Sequence, residues 1–298
     1  MKNKAITVFG EVLFDHFPDV NKVLGGAPFN VAWHLQAFGG NPQFISRIGN
    51  DPTGNQIHTA MRLWGMNLDY LQQDPTYPTG QVQVTIQYSE PSYAILPDQA
   101  YDHIEMTGLL GINHTGILYH GTLAARSTLS RQTLASLKAL HQGKIFMDVN
   151  LRQPWWNKAD VLGLIADADW LKLNLQELHA LHDDVTDVKT CMKEFISLYK
   201  LEGIIVTCGE EGALALDNSG EFFSVSPTTP VDLIDTVGAG DAFSAILLLG
   251  LNLGWPLRQT MERAQLFASA MTGQRGATVD DLNFYQPFMT SWLWSNVQ

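Results

Sequence analysis

ILYHGTLAARSTLSRQTLASLKALHQGKIFMD, from Ile117 to Asp148, sets two short β-rich runs, Ile117–His120 and Lys144–Asp148, on either side of an amphipathic stretch of helical length, Arg131–His141. Strand, helix and strand in that order form a βαβ unit, the connection that parallel strands require. The same alternation continues outward in both directions. β-rich runs recur at Ala5–Phe9, Gln43–Ile48, Trp170–Leu173 and Gly203–Thr207, and amphipathic stretches at Asn30–Phe38, Gly54–Trp64 and Val188–Lys200. The pattern predicts an α/β fold with a mostly parallel central sheet and helices on both faces. Ligands bind such sheets beyond the carboxyl ends of the strands. Polar residues just after strands are therefore the first places to look for chemistry.

Two segments break the rhythm. Val12–Leu24 and Gly80–Ile95 alternate apolar and polar residues with no helix between the halves of the second. Strict alternation suits a sheet with one packed and one wet face. We expect a small antiparallel β lid from segments of approximately 12–24 and 80–100, inserted in one domain spanning 1–298. An edge hairpin extending the main sheet is the plainer alternative. A lid of this kind leaves strand edges open, which a second copy can cover, so a homodimer through Gly80–Ile95 is a further expectation.

The 298 residues are 45% hydrophobic and 16% charged, a balance that excludes a disordered chain. Eighteen Lys and Arg against thirty Asp and Glu give a formal charge of −12, which argues against a broad nucleic-acid surface. A small phosphorylated ligand remains compatible with that charge, since backbone amides at a helix N-terminus can hold it. Cys191 and Cys208 are far apart, so neither a disulfide scaffold nor a thiolate zinc site is expected. The start MKNKAITVFGEVLFD is interrupted by Gly10, Glu11 and Asp15 and does not read as a secretion signal. Ala242–Leu257 is too short and too broken by Ser, Asn and Gly to span a bilayer. A cytoplasmic protein without a membrane partner is the expectation.

The strongest chemical signal is DTVGAGD, Asp235–Asp241, followed by the apolar run AFSAILLLGL. A Gly-Ala-Gly turn opening into an apolar helix aims free amides and the positive end of the helix dipole one way, an arrangement that binds anions. A carboxylate at that mouth, Asp241, can accept a proton from an attacking hydroxyl. A capped turn with ordinary structural glycines is the alternative. Ile204–Gly212, IIVTCGEEG, ends a strand in Thr and glycines that let a backbone approach phosphates. Glu177 in LNLQE offers oxygens suited to Mg²⁺, or else a helix start. Neither a GxxxxGK[ST] loop nor a GxGxxG motif between strand and helix is present.

DTVGAGDAF resembles the C-terminal signature of the ribokinase-like carbohydrate kinases of the phosphofructokinase-B type. Gly25-Gly26-Ala27-Pro28-Phe29-Asn30-Val31-Ala32 and the FISRIGNDPTG segment, Phe44–Gly54, extend the resemblance over nearly the whole chain. It implies a ribokinase-like fold and an ATP-dependent kinase that moves the γ-phosphoryl group to a primary hydroxyl of a small sugar. Asp241 would be the base, and Gly238, Ala239 and Gly240 the anion hole. Asp15, Gly25, Gly26 and Asn30 would bind sugar, with Asn150 and Arg152 of the DxNxR segment on the phosphate side. The resemblance places the nucleotide at Thr207, Gly209 and Gly212, and at Thr236 and Gly276. Asn174 and Glu177 of an NxxE motif would serve Mg²⁺, and Asp235 a monovalent cation, K⁺ being the candidate. Leu13 stands where ribokinase carries a polar residue, and GExLxD favours the fructokinase-like branch. Fructose is the first-choice acceptor. Ribose, a nucleoside, 2-keto-3-deoxygluconate, a sugar phosphate, or a non-catalytic sugar-binding regulator are the alternatives.

Overall fold

The computed structural model describes residues 5–294 apart from 17–21, 88–89, 110, 183–186 and 228–231. In the first half, β1 (Ile6–Phe9), β2 (Leu13–His16) and β3 (Lys22–Gly25) lead into α1 (Ala27–Ala37). They are followed by β4 (Gln43–Gly49), α2 (Pro52–Leu63), β5 (Leu71–Asp74), β6 (Gly80–Gln87) and β7 (Glu90–Ile95). The centre runs through β8 (Ile117–His120), α3 (Thr128–Leu140), β9 (Lys144–Asp148), α4 (Lys158–Ile165), β10 (Trp170–Asn174), α5 (Leu175–Leu181) and α6 (Val188–Tyr199). The last part holds β11 (Gly203–Thr207), β12 (Ala213–Asp217), β13 (Phe222–Val225), α7 (Ala239–Leu253), α8 (Leu257–Met271) and α9 (Leu282–Met289).

Nine of these strands make one sheet in the order β13-β12-β11-β10-β9-β8-β1-β4-β5. Pairing is parallel from β11 to β5, and at the other edge β12 pairs antiparallel with both β11 and β13. Both faces are covered. On β11, Ile204 and Val206 pack with Phe195 of α6, while Ile205 between them joins the cluster containing Leu247 of α7 and Phe267 of α8. The period-two alternation of a strand therefore finds apolar partners on each side, which is why these runs are apolar throughout. The mostly parallel sheet with helices on both faces expected from the sequence is what the chain forms.

The lid is a separate four-stranded sheet, β3-β2-β6-β7, not an extension of the main one. Its two hairpins, β2–β3 and β6–β7, are antiparallel as expected. They join through a parallel pairing of β2 with β6, Leu13 opposite Gly80 and His16 opposite Gln83. Residues 17–21 and 88–89 of the predicted lid segments lie outside the described residues. Among the described residues, no helix is long and apolar enough to cross a membrane.

Asp51 shows how a loop residue fixes the sheet to the lid. Its carboxylate caps α2 by accepting from the Gly54 amide at 2.7 Å, and it accepts from the Thr79 amide and hydroxyl, both at 2.8 Å. Burial works to raise its pKa, but the amides of Thr79 and Gly54 outweigh that and hold it below the usual carboxylate range. A capping bond plus charge-assisted bonds to the segment entering β6 predict that Asp51→Ala costs about 2–4 kcal/mol. Urea denaturation should show it as a lower midpoint at unchanged slope. Because the folded pKa is depressed, the difference between wild type and variant should be full at neutral pH. It should shrink as pH falls through the folded pKa.

Candidate active site

The site grows from the N-terminus of α7. Gly238 precedes this helix with φ 79°, and a Cβ there would lie 2.4 Å from the Ala277 Cα, so both conformation and space demand glycine. Phe243 and Ala245 to Leu249 are buried, which drives the helix inside and points its first turn at the carboxyl ends of the strands. The Ala239 amide is turned onto the Thr236 carbonyl at 3.3 Å. Gly240 and Asp241 stand in the first turn, where amides have no partner within the helix. Their N–H groups and the helix dipole make this end electropositive, as an anion site requires.

Asn30 arrives from α1, which starts immediately after Gly26. That glycine has φ 110°, and a Cβ would meet the Glu11 carbonyl at 2.7 Å. With the chain turned so tightly, Asn30 donates from Nδ2 to Asp241 Oδ2 at 2.7 Å, joining residues 211 positions apart. Gly25 leaves open space facing both Asp15 and Asn30. A Cβ built on it would sit 3.5 Å from Asp15 Oδ2 and 3.9 Å from Asn30 Oδ1, and this Oδ1 is buried without a partner. Asp15 stands on β2, so the lid carries one side of the site.

These groups share a cavity of about 750 Å³. It gathers Asp15, Gly26, Asn30, Asn150, Arg152, Asn174, Glu177, Thr207, Thr236, Gly238, Gly240 and Asp241 from the residues that the sequence singled out. Gly25 contributes through the space just described. Gly209, Gly212, Asp235 and Gly276 do not line the cavity. Gly212 has its Cβ position 2.0 Å from the Val225 carbonyl and so belongs to the packing of the β12–β13 hairpin. Asp235 spends its carboxylate on the amides of Val237 and Gly276, both at 3.0 Å, which ties the turn before α7 to the loop after α8. Asn174 and Glu177 form a capping box on α5, and Glu177 also accepts from the Leu151 amide at 3.0 Å. The helix-start reading of NxxE is thus realised, with Glu177 still facing the cavity.

Sequence reasoning assigned no role to Glu11, Asp148, Lys172 or Tyr119, which line the same cavity. Lys172 pairs with both oxygens of Asp148 at 2.8 and 3.0 Å, and Tyr119 and Ser244 donate to Asp148 Oδ2 at 3.1 and 2.5 Å. The readable signal was a lysine inside an apolar strand, WLKLN, since a buried lysine must be paired. Five carboxylates, Glu11, Asp15, Asp148, Glu177 and Asp241, thus face two cations, Arg152 and Lys172. Their protonation reflects the crowding. Burial pushes Asp241 up to about 6, with Asp148 adding to the rise and Asn30, Lys172 and Arg152 opposing it. Burial likewise raises Asp15 to about 6 against the pull of Arg152. Glu11 is pushed to about 7, chiefly by burial, although its own amide and that of Ala124 favour its charge.

A phosphorylated substrate entering a cavity with this excess of carboxylates needs a cation of its own. Among the described residues there is no group of three or more His, Cys, Asp or Glu able to hold a metal. Mg²⁺ does not need one, because it keeps several waters and is held by one or two carboxylates plus phosphate oxygens. Glu177 fits that limited part.

Residues 5–283 match the model of the pfkB family of carbohydrate kinases. The fructokinase of Escherichia coli is 29% identical over 264 residues, covering 83% of this chain and 84% of its own length. Among solved structures, fructokinase from Vibrio cholerae O395 in its fructose, ADP and calcium ion bound form superposes with a TM-score of 0.82. It is 25% identical and covers 95% of this chain and 98% of its own. Aminoimidazole riboside kinase from Salmonella enterica, 22% identical, shares the fold with a TM-score of 0.83 over 96% of this chain and 100% of its own. A ribokinase-like sheet, a glycine turn opening into an apolar helix and a carboxylate at its mouth now stand together with a family match over nearly the whole chain: the protein belongs to the pfkB family of carbohydrate kinases and is an ATP-dependent phosphotransferase with an alcohol group as acceptor.

Proposed function

We propose that this chain transfers the γ-phosphoryl group of Mg·ATP to a primary hydroxyl of fructose. The observation that carries the reading is Asp241, at the mouth of the α7 anion site and bonded to Asn30 inside the cavity that also holds Asp15. Fructose is favoured by the fructose-bound Vibrio cholerae relative, by the Escherichia coli fructokinase, and by Leu13 in the GExLxD pattern. Asp15 on the lid and Asn30 on α1 would accept and donate hydrogen bonds to neighbouring sugar hydroxyls, with Gly25 and Gly26 allowing the ring to approach. Thr207 and Thr236 would meet the nucleotide phosphates, with Gly209, Gly212 and Gly276 supporting the surrounding loops. Arg152 and Asn150 would face the phosphate side.

In the reaction the sugar oxygen forms the new O–P bond and the bond from the γ-phosphorus to the β–γ bridging oxygen breaks. Asp241 takes the hydroxyl proton, and the leaving group is ADP. The amides at the start of α7 receive the negative charge of the transferring group, already oriented, so no reorganisation is required at the moment of reaction. Mg²⁺ near Asn174 and Glu177 would neutralise nucleotide phosphates. K⁺ near Asp235 would be the candidate activating ion.

Asp241→Asn keeps the shape and removes the base. Fructose binding measured by calorimetry should persist while kcat falls by about 10²–10⁴; equal turnover in both proteins would refute the assignment. The base works only when ionised, so kcat/KM should fall about tenfold per pH unit below about 6. Asn30→Ala removes a bond that favours the charged form and should move this acid limb to higher pH. A pH–rate series on both proteins checks the direction.

The lid leaves β3 and β7 as edges of its sheet. A second copy pairing there would cover them and give a homodimer. Sedimentation at micromolar concentration should then report twice the chain mass, and a monomer would remove the idea.

A further inference from the structure

Lys172 is the one charged side chain in the site that is both buried and cationic among the residues lining the cavity. Its residue is 6% exposed, whereas Arg152 is exposed. Its ammonium has three N–H groups, and Asp148 engages it through Oδ1 at 2.8 Å and Oδ2 at 3.0 Å, leaving at least one N–H free. Tyr119 and Ser244 both donate to Asp148 Oδ2, so that oxygen is held without the lysine, while Oδ1 is met by Lys172. Above the ammonium lies Gly240. A Cβ built there would meet a single neighbour, Lys172 Nζ at 3.7 Å, so the absent side chain leaves the cation open to the anion-binding turn. Lys172 also acts electrostatically on both Asp241 and Glu177. It shares the cavity with both of them.

A buried ion pair adds little to stability compared with apolar residues of the same volume, because desolvation cancels most of the attraction. A purely architectural role therefore accounts poorly for a lysine at this position. We propose that Lys172 is a further catalytic residue, donating its free N–H to a non-bridging oxygen of the phosphoryl group in flight. Tyr119 and Ser244 fix Asp148, and Asp148 in turn holds the ammonium in place. Proton and bond changes are those already given; Lys172 gives up no proton and supplies only charge and one hydrogen bond. The inference rests on the kinase reading of the same site.

The test uses the full-length protein with Mg·ATP and fructose. Wild type must first show fructose-dependent ADP formation; its absence would strike the proposed acceptor and leave the lysine to be tested with whichever sugar does support turnover. Lys172→Met should then lower kcat by about 10²–10³ with fructose KM within about threefold, the pattern of a lost transition-state contact. Removing the lysine alone leaves Asp148 uncompensated and lowers stability, so the double variant Asp148→Asn with Lys172→Met is made alongside. It restores neutrality at the pair and should recover most of the melting temperature without recovering kcat. If the double variant regains more than about a third of wild-type kcat, Lys172 serves only as a partner of Asp148 and the proposal is overturned.

Discussion

A helix apolar on nearly every side can be accommodated only inside a protein, and α7 is such a helix. Its packing against α1 and α8 leaves it no freedom to slide. Rotation is fixed as well, because Ser244, a polar side chain within its buried run, donates to Asp148 in the sheet. Asp241 lies three residues before Ser244, hence on the same face one turn nearer the N-terminus. The contact that orients the helix therefore also orients Asp241, the proposed base. The anion-binding amides and the carboxylate are set by packing far from the substrate, which is how a site keeps its geometry before anything binds.

That geometry concentrates carboxylates. Asp15, Asp241 and Glu11 all have their protonation pushed upward, and in each case burial is the largest cause. A cavity in this state repels a polyphosphate unless charge is brought in with it. On the proposed function, the electrostatics would favour a metal-bound nucleotide over a free one. In the proposed reaction the few amides at α7 and two cations would act at the point where charge develops, and not over the whole surface. The overall −12 charge argues against a broad nucleic-acid surface without arguing against this chemistry, because the cationic elements needed are local.

The strands were legible because burial on both faces makes each a short continuous apolar run with turn residues at its ends. Ile117–His120 and Lys144–Asp148 fall where the sequence places them, and Ala5–Phe9 differs from β1 by one residue. The lid was legible from alternation, but the parallel pairing of β2 with β6 was not, since it joins Leu13 to Gly80 and depends on how the two hairpins meet in space. Motif residues such as Asp241 and Asn30 stood out by their turns. Lys172 and Glu11 did not, because their importance lies in partners distant in sequence. A lone Lys in WLKLN announces burial, and only the fold shows that Asp148 neutralises it and Gly240 leaves it uncovered. NxxE illustrates the reverse case: the same two residues are a capping box and a cavity wall, so the choice between the two readings was not a real alternative.

The lid and the base are connected by a very short path. β2 carries Asp15, β3 ends at Gly25, Gly26 turns the chain, and Asn30 on α1 reaches Asp241. A sugar held against Asp15 and Asn30 would rest on both sides of that turn at once. Movement of the lid hairpin would then be transmitted to the residue that bonds the base, through two glycines and less than one helical turn. Gly26 cannot absorb much of such movement, because the Glu11 carbonyl already stands where its Cβ would be. On the proposed function, recognition of the acceptor and alignment of the base would be parts of one connection. An acceptor that fails to draw the lid into register would leave Asp241 misaligned even while bound, so discrimination would appear in turnover more than in affinity.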